Sequence, residues 1–323
     1  MNNAIFIDTG TTNTRVWLVR GEQILAHKSA LIGVRDAARE GSTATLQAAL
    51  RDLIRAVQVS EKASCVMAAG MITSGLGLMD VPHIAAPAGL DELAAATKSY
   101  SFPHVTELPV LLVPGIRSGA ATCDYNSVSE MDVMRGEETL CAGLVELGLA
   151  PLPCTVLNLG SHWKAIQLDA AGRVQASITS LTGEMIFTTQ TQTILASAVP
   201  HERPVNIAHE WAAAGMREQR QAGLARALFC VRLLEQKGDC TPDERLAYLV
   251  GAFLASDFDG LQKRGLLLPE QSVLITGGGA LAELWAQALA EASISSRIVT
   301  AAESEAAMLT GLRAILRRTG FEI

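Results

Sequence analysis

The chain has 323 residues, 49% hydrophobic and 18% charged, which is enough for one large or two medium cores, and two domains are expected. Its net charge of −7 excludes a general nucleic-acid or anionic-membrane surface, because phosphate backbones select for clustered Lys and Arg. The N-terminus shows no basic region followed by an apolar signal stretch, no apolar run reaches about 18 residues, and the six cysteines lack CxxC or metal-ligand spacing, so a cytoplasmic protein with reduced core thiols and no membrane span is expected.

Residues 4–8, 14–20 and 23–30 read as three short strands, a meander whose first connection is the polar turn Asp8-Thr9-Gly10-Thr11. Residues 43–57 carry Leu46, Ala49, Leu50, Leu53 and Ile54 on one helical stripe. Apolar runs at 64–69, 110–113 and 272–276 alternate with helices, as parallel strands of α/β units do. After Gly136 a helix with Leu140, Leu144 and Leu147 toward the core is predicted. Two prolines in "LGLAPLPC" (147–154) mark a boundary, giving expected domains 1–152 and 153–323. A second meander follows at 155–180, and its turn Asn158-Leu159-Gly160-Ser161 echoes the first about 150 residues later, the mark of a duplicated domain. A closing helix over 303–317 places Ala306, Leu309, Leu312, Ala314 and Ile315 together, and it could pack back on the first domain.

Phosphate can be held without basic residues when backbone N–H groups and hydroxyls converge on it and glycine lets the chain approach. Both hairpin turns fit that chemistry, and each alone also fits an ordinary Gly/Thr-rich hairpin with an Asx-turn. Asp8, at a strand tip, suits a magnesium ion held partly by phosphate oxygens. "VLITGGGALAELWAQAL" (273–289) is an apolar strand, a turn of small residues and a helix; its glycines admit a flat ring or a phosphate, and a tight strand-to-helix turn is the alternative. "DVMRGEETLCAGLVEL" (132–147) sets Glu137 and Glu138 in a helix's first turn, where acids are favoured by the dipole anyway. The functional reading has one carboxylate accepting a substrate hydroxyl's proton and Arg135 binding an anion.

Taken together these features resemble the superfamily of sugar kinases, hexokinase, actin and Hsp70, and within it the 2-dehydro-3-deoxygalactonokinase family. The resemblance rests on "DTGTTNTRVW", "MAAGMITSGLG", "VPGI", "VMRGEET", "LGSHWK" and "LTGEM", and it runs nearly end to end. It implies two duplicated ribonuclease-H-like domains of the actin-like ATPase type with an interdomain active-site cleft. It also implies transfer of the ATP γ-phosphate, with Mg2+, to the 6-hydroxyl of a 2-keto-3-deoxy sugar acid in galactonate catabolism. Asp8 would organise the metal, and Gly10, Thr11, Thr12 and Asn13 would meet the phosphates. Gly160, Ser161 and His162 would form a second phosphate loop, with Gly277, Gly278 and Gly279 beside adenosine. Glu137 would be the base, with Glu138 in reserve. Arg15, Arg135 and Lys164 would meet substrate carboxylate or phosphate, and Gly70, Met71 and Ser74 would lie on the substrate side. Leu78 and Leu140 depart from the family pattern, as do Thr9 and the order of Trp163 and Lys164. These departures bear on the acceptor, which could be another sugar acid. A sensor that binds without turnover is the reading from a different class. No nucleic-acid or membrane partner is expected, and a homodimer is compatible with the apolar composition.

Overall fold

Ala4–Thr9 (β1), Thr14–Arg20 (β2) and Gln23–Ala30 (β3) form the antiparallel meander that their alternation predicts. All six residues of β1 are buried, as a central strand requires, whereas β3 is largely exposed and stands at the sheet edge. These elements belong to a computed structural model that describes residues 3–321; the outermost residues of the two expected domains, 1, 2, 322 and 323, lie outside the described residues. The chain divides into two units, one of Met1–Leu152, Asp169–Ala176 and Ala302–Ile323, the other of Pro153–Leu168 and Ser177–Ala301.

The first unit continues with α1 (Val34–Glu40), α2 (Ala44–Val57), β4 (Cys65–Gly70), β5 (Ile84–Ala85), α3 (Leu90–Ala96), β6 (Lys98–Phe102), β7 (Thr106–Leu112), β8 (Ile116–Ser118), β9 (Asp132–Met134) and α4 (Glu137–Glu146). Its main sheet runs β3-β2-β1-β4-β7-β6, with β4 parallel to β1 and β7 parallel to β4. The runs at 64–69 and 110–113 are therefore parallel strands, as expected. On one face Ile5, Ile7, Val16 and Leu18 pack with Leu46, Leu50 and Ile54, the buried side of the predicted α2 stripe. The small sheet β5-β8-β9 delivers the chain to α4.

The second unit repeats the plan. Cys154–Leu159 (β10), Trp163–Leu168 (β11) and Val174–Ser180 (β12, in this unit from Ser177 onward) make the second meander, and α5 (Thr182–Gln192) follows. Then come α6 (His209–Ala222), α7 (Leu224–Lys237), α8 (Pro242–Lys263), β13 (Ser272–Thr276), α9 (Ala280–Glu291) and β14 (Ser296–Ile298), and the sheet order is β12-β11-β10-β13-β14. β13 is parallel to β10 just as β4 is to β1. Thr241 caps α8 in a capping box with Glu244, ahead of Pro242 at the first helical position. α8 is the most buried helix of the unit because α6 meets it backbone to backbone: a Cβ on Gly215 would lie 2.0 Å from the Tyr248 carbonyl oxygen. Among the described residues no helix is long and apolar enough to cross a membrane.

The last helix, α10 (Ala301–Arg318), lies from Ala302 onward in the first unit. Glu305 accepts a 2.8 Å hydrogen bond from the indole of the fully buried Trp17, and Arg313 donates to the Gly21 carbonyl at 2.7 Å. α10 crosses α4 at glycines, since a Cβ on Gly311 would sit 2.1 Å from the Thr139 carbonyl oxygen.

Two expectations are corrected. Leu147 does not face the core: α4 ends at Glu146 and the side chain stays 41% exposed, because the helix stops before its stripe returns to that face. All six cysteines are free thiols, but only Cys65, Cys141 and Cys154 are buried; Cys123 is exposed and Cys230 and Cys240 are half-buried.

The α4–α10 crossing yields a stability test. A Cβ on Gly143 would lie 1.7 Å from the Ala307 carbonyl oxygen, so Gly143→Ala must push two backbones apart. Overpacking of this kind costs about 1–3 kcal/mol, which lowers the melting temperature by roughly 3–10 °C. Calorimetry showing an unchanged melt would disprove the close crossing.

Candidate active site

At the tip of β1 the chain turns through Gly10-Thr11-Thr12-Asn13, closed by a 2.8 Å hydrogen bond from the Gly10 amide to the Asn13 carbonyl. The turn is held from behind by the start of α1: the Val34 and Arg35 amides donate to the Gly10 and Thr11 carbonyls at 3.3 and 3.0 Å. Gly33 permits this approach, since a Cβ there would meet the Thr11 carbonyl at 2.5 Å. With its carbonyls tied back, the turn can present amides and hydroxyls to an anion. Asp8 is buried beneath it and receives Arg15 at 2.5 Å, and the Arg15 guanidinium also lies 5.6 Å from the Trp17 ring centre.

Beside β1, β4 ends at Gly70, whose φ of +87° suits glycine. A Cβ there would strike the Thr9 carbonyl oxygen at 2.5 Å and approach Asp8 Oδ1 at 3.2 Å. Gly136, at φ +108°, packs on Gly70 in turn, with only 3.2 Å between its would-be Cβ and the Gly70 Cα. These glycines bring "DTG", "AAG" and "RGEE" together. Met71 and Ser74 follow Gly70 in a short helical turn in which Ser74 donates to the Met71 carbonyl at 2.7 Å.

The three charged residues around Gly136 have different environments. Arg135 is committed to the first unit's framework, donating to the Thr73 hydroxyl at 3.0 Å, Asp80 at 3.0 Å and the Val81 carbonyl at 2.8 Å. Glu138 is fully buried, and both its oxygens lie 2.8 Å from the Gly136 amide that donates to them. Burial, and then the charge of Glu137, push the Glu138 carboxyl up to about 7. Glu137 is half-buried at the first position of α4.

The second unit builds its turn the same way. Gly160-Ser161-His162 leaves β10, and Glu184 of α5 donates its amide to the Ser161 carbonyl at 2.8 Å. Gly183 does what Gly33 does in the first unit, with its would-be Cβ 2.4 Å from the Gly160 oxygen and 2.5 Å from that of Ser161. Gly277, next to β10 and at φ +80°, stands over the Leu159 carbonyl as Gly70 stands over that of Thr9. Gly278 and Gly279 also have positive φ and lead into α9. Thr276 donates to the Asn158 side chain at 3.0 Å, His162 lies 3.7 Å from Glu184, and the buried Lys164 donates to the Thr179 hydroxyl of β12.

The structure thus gathers Asp8, Gly10 to Asn13, Arg15, Gly70 and Gly136 to Glu138 in the first unit, and Gly160 to His162 with Gly277 to Gly279 in the second. Gly33 and Gly183 are the site residues that a reading of single turns misses. Their signal is a weak repeat, "LIG" at 31–33 and "LTG" at 181–183, at the same spacing of about 150 residues as the turns.

Two copies of one sheet plan, each with a glycine turn backed by a helix start, define an actin-like ATPase fold. The 2-keto-3-deoxy-galactonokinase family model matches residues 8–315, and the chain belongs to that family. It is 24% identical over 311 residues to the 2-dehydro-3-deoxygalactonokinase of Escherichia coli (strain K12), with 96% of each chain covered. It is 28% identical over 321 residues to a probable 2-dehydro-3-deoxygalactonokinase of Rhizobium meliloti (strain 1021), covering 96% of this chain and 95% of that one. The crystal structure of a candidate 2-dehydro-3-deoxygalactonokinase from Sinorhizobium meliloti shares the fold, with a TM-score of 0.81, 24% identity and coverage of 99% and 98%.

Glu138 makes stability depend on pH. Its carboxyl is held near 7 against an ordinary value of 4.5, so the folded state binds the proton more tightly. The resulting stabilisation, on the order of 3 kcal/mol, is full below the unfolded value and disappears as pH rises through about 7. Glu138→Gln cannot ionise, so its melting temperature should gain on that of the parent between about pH 5 and 8. Parallel pH curves for the two proteins would refute the buried, perturbed carboxyl.

Proposed function

We propose that this protein transfers the γ-phosphoryl group of ATP to the 6-hydroxyl of 2-dehydro-3-deoxy-D-galactonate, giving the 6-phosphate and ADP. Family membership supports the reaction class. The single observation that supports the assignment of roles is the packing of Gly136, the residue before Glu137, on Gly70, which itself packs on Thr9 and Asp8. Phosphoryl transfer is mostly positioning and charge stabilisation, with a base assisting the attacking hydroxyl.

Glu137 is the base in this reading. Both oxygens of Glu138 face the Gly136 amide inside the protein, whereas Glu137 stands half-buried at the helix start and keeps its carboxylate free for a substrate hydroxyl's proton in this reading. Glu138 instead fixes the turn on which Glu137 sits. Arg135 is a framework cation that holds the Thr73–Val81 segment against this turn, and Arg15 remains the candidate for an anionic group of the substrate or nucleotide. The Gly10 to Asn13 and Gly160 to His162 turns receive phosphate oxygens, and Gly277 to Gly279 admit adenosine.

Magnesium fits Asp8: the missing Cβ of Gly70 leaves room over Oδ1, and one carboxylate with phosphate oxygens suits this ion. When bound, the ion would offset charge on the β- and γ-phosphates. Asp8 would hold it, with Arg15 balancing the same carboxylate.

Coupled measurement of ADP release with 2-keto-3-deoxy acids and aldonates tests the assignment. Turnover should depend on the acceptor and be fastest with the galactonate-derived keto acid. Preference for an aldonate would move the substrate, and ADP release independent of any acceptor would sink the kinase reading. Glu137→Gln should lower kcat by about 10²–10⁴-fold with ATP binding little changed. If Glu138→Gln shows that loss and Glu137→Gln does not, the base is the neighbouring residue; normal turnover in both variants rules out a base here.

A further inference from the structure

The second phosphate turn depends on the start of α5, and one residue far along the chain grips that start. Asp257 of α8 accepts a 2.6 Å hydrogen bond from Ser180, the last residue of β12, and another from the hydroxyl of Thr182, the first of α5. The two hydroxyls lie 2.9 Å apart, so the carboxylate clamps both sides of the strand-to-helix junction. The next residue is Gly183, which packs on the Gly160 and Ser161 carbonyls, and after it Glu184 donates to Ser161. The clamp at Thr182 is therefore followed directly by the two residues that hold the turn.

Packing alone does not fix this junction. A cavity of about 100 Å³ lies beside it, lined by Trp163, Ser180, Asp257 and Arg264 among others, and the buried indole nitrogen of Trp163 has no hydrogen-bond partner. With open space on one side, directional hydrogen bonds have to set where α5 begins. Asp257 is well placed to supply them: it sits on the long, capped and largely buried α8.

We propose that Asp257 is a positioning residue for the second phosphate turn, holding Ser180 and Thr182 so that Gly183 and Glu184 keep the Gly160-Ser161 carbonyls turned away from bound phosphate. It touches neither nucleotide nor acceptor and acts through the start of α5. The inference rests on reading Gly160 to His162 as an ATP phosphate turn, and the test separates the two claims.

ATP binding is measured by calorimetry without acceptor, alongside KM for ATP and for the keto acid. Asp257→Asn and Ser180→Ala should each weaken ATP binding by about tenfold while KM for the keto acid stays within about twofold, a split that a general loss of folded protein does not produce. The double variant should be no worse than either single one, because both changes break the same link. Unchanged ATP binding in Asp257→Asn, with binding weakened in Gly183→Ala, overturns the positioning role and leaves the turn's function standing. Unchanged binding in Gly183→Ala as well removes the phosphate-turn reading and the inference with it. Should Asp257→Asn fail to fold, Ser180→Ala and Thr182→Val decide: normal ATP binding in both overturns the proposal.

Discussion

Everything at the two turns depends on where their carbonyl oxygens go. In the proposed role these turns receive phosphate, and such a loop must keep its own partial negative charges off the ligand. Both turns solve this with amides from a following helix start, Val34 and Arg35 for the first and Glu184 for the second. The helix can come that close only where no Cβ intervenes, which accounts for Gly33 and Gly183. A second glycine, Gly70 or Gly277, stands over the carbonyl of the residue before each turn and closes it from the neighbouring strand. The repeated feature is thus a small set of backbone approaches, and the side chains at the turns are free to differ.

They do differ, and the difference divides the labour. In the first unit the strand-tip glycine leads to Met71 and supports Gly136, the residue before Glu137 and Glu138. In the second, Gly277 is followed by two more glycines at positive φ, conformations that suit glycine. In the proposed roles, the repeated plan gives acid chemistry to the first copy and nucleotide binding to the second.

The sheet plan was largely legible because it rests on strong local patterns. Ile5, Ile7, Val16 and Leu18 alternate, the α2 stripe is regular, and the polar turns between β1 and β2 and between β10 and β11 stand out against apolar flanks. The site was legible to the extent that glycines and acids cluster in sequence. What stayed hidden depends on contacts distant in the chain: Gly33 against Thr11, Gly136 against Gly70 and Asp257 against Ser180 leave little local trace. Leu147 shows the opposite failure, since a helical period predicts burial only for as long as the helix lasts. Arg135 is a third kind of case. Its charge and position suggested a ligand contact, but whether an arginine is committed to Thr73, Asp80 and Val81 is decided by a segment more than fifty residues earlier.

The adjacency of Glu137 and Glu138 follows from the same backbone logic. Gly136 turns the chain at a φ open to glycine, and its amide enters a buried corner where an unpaired donor would cost about 1–3 kcal/mol. Glu138 reaches back to that amide and accepts from it, at the expense of burying a carboxyl. Burial raises that carboxyl, and the charge of Glu137 raises it further, so below about pH 7 Glu138 is mostly neutral and Glu137 has no negative charge at its side. Two neighbouring residues of the same type are thus kept apart by depth: Glu138 serves the turn as a hydrogen-bond acceptor, and Glu137, the proposed base, stands half-buried at the helix start.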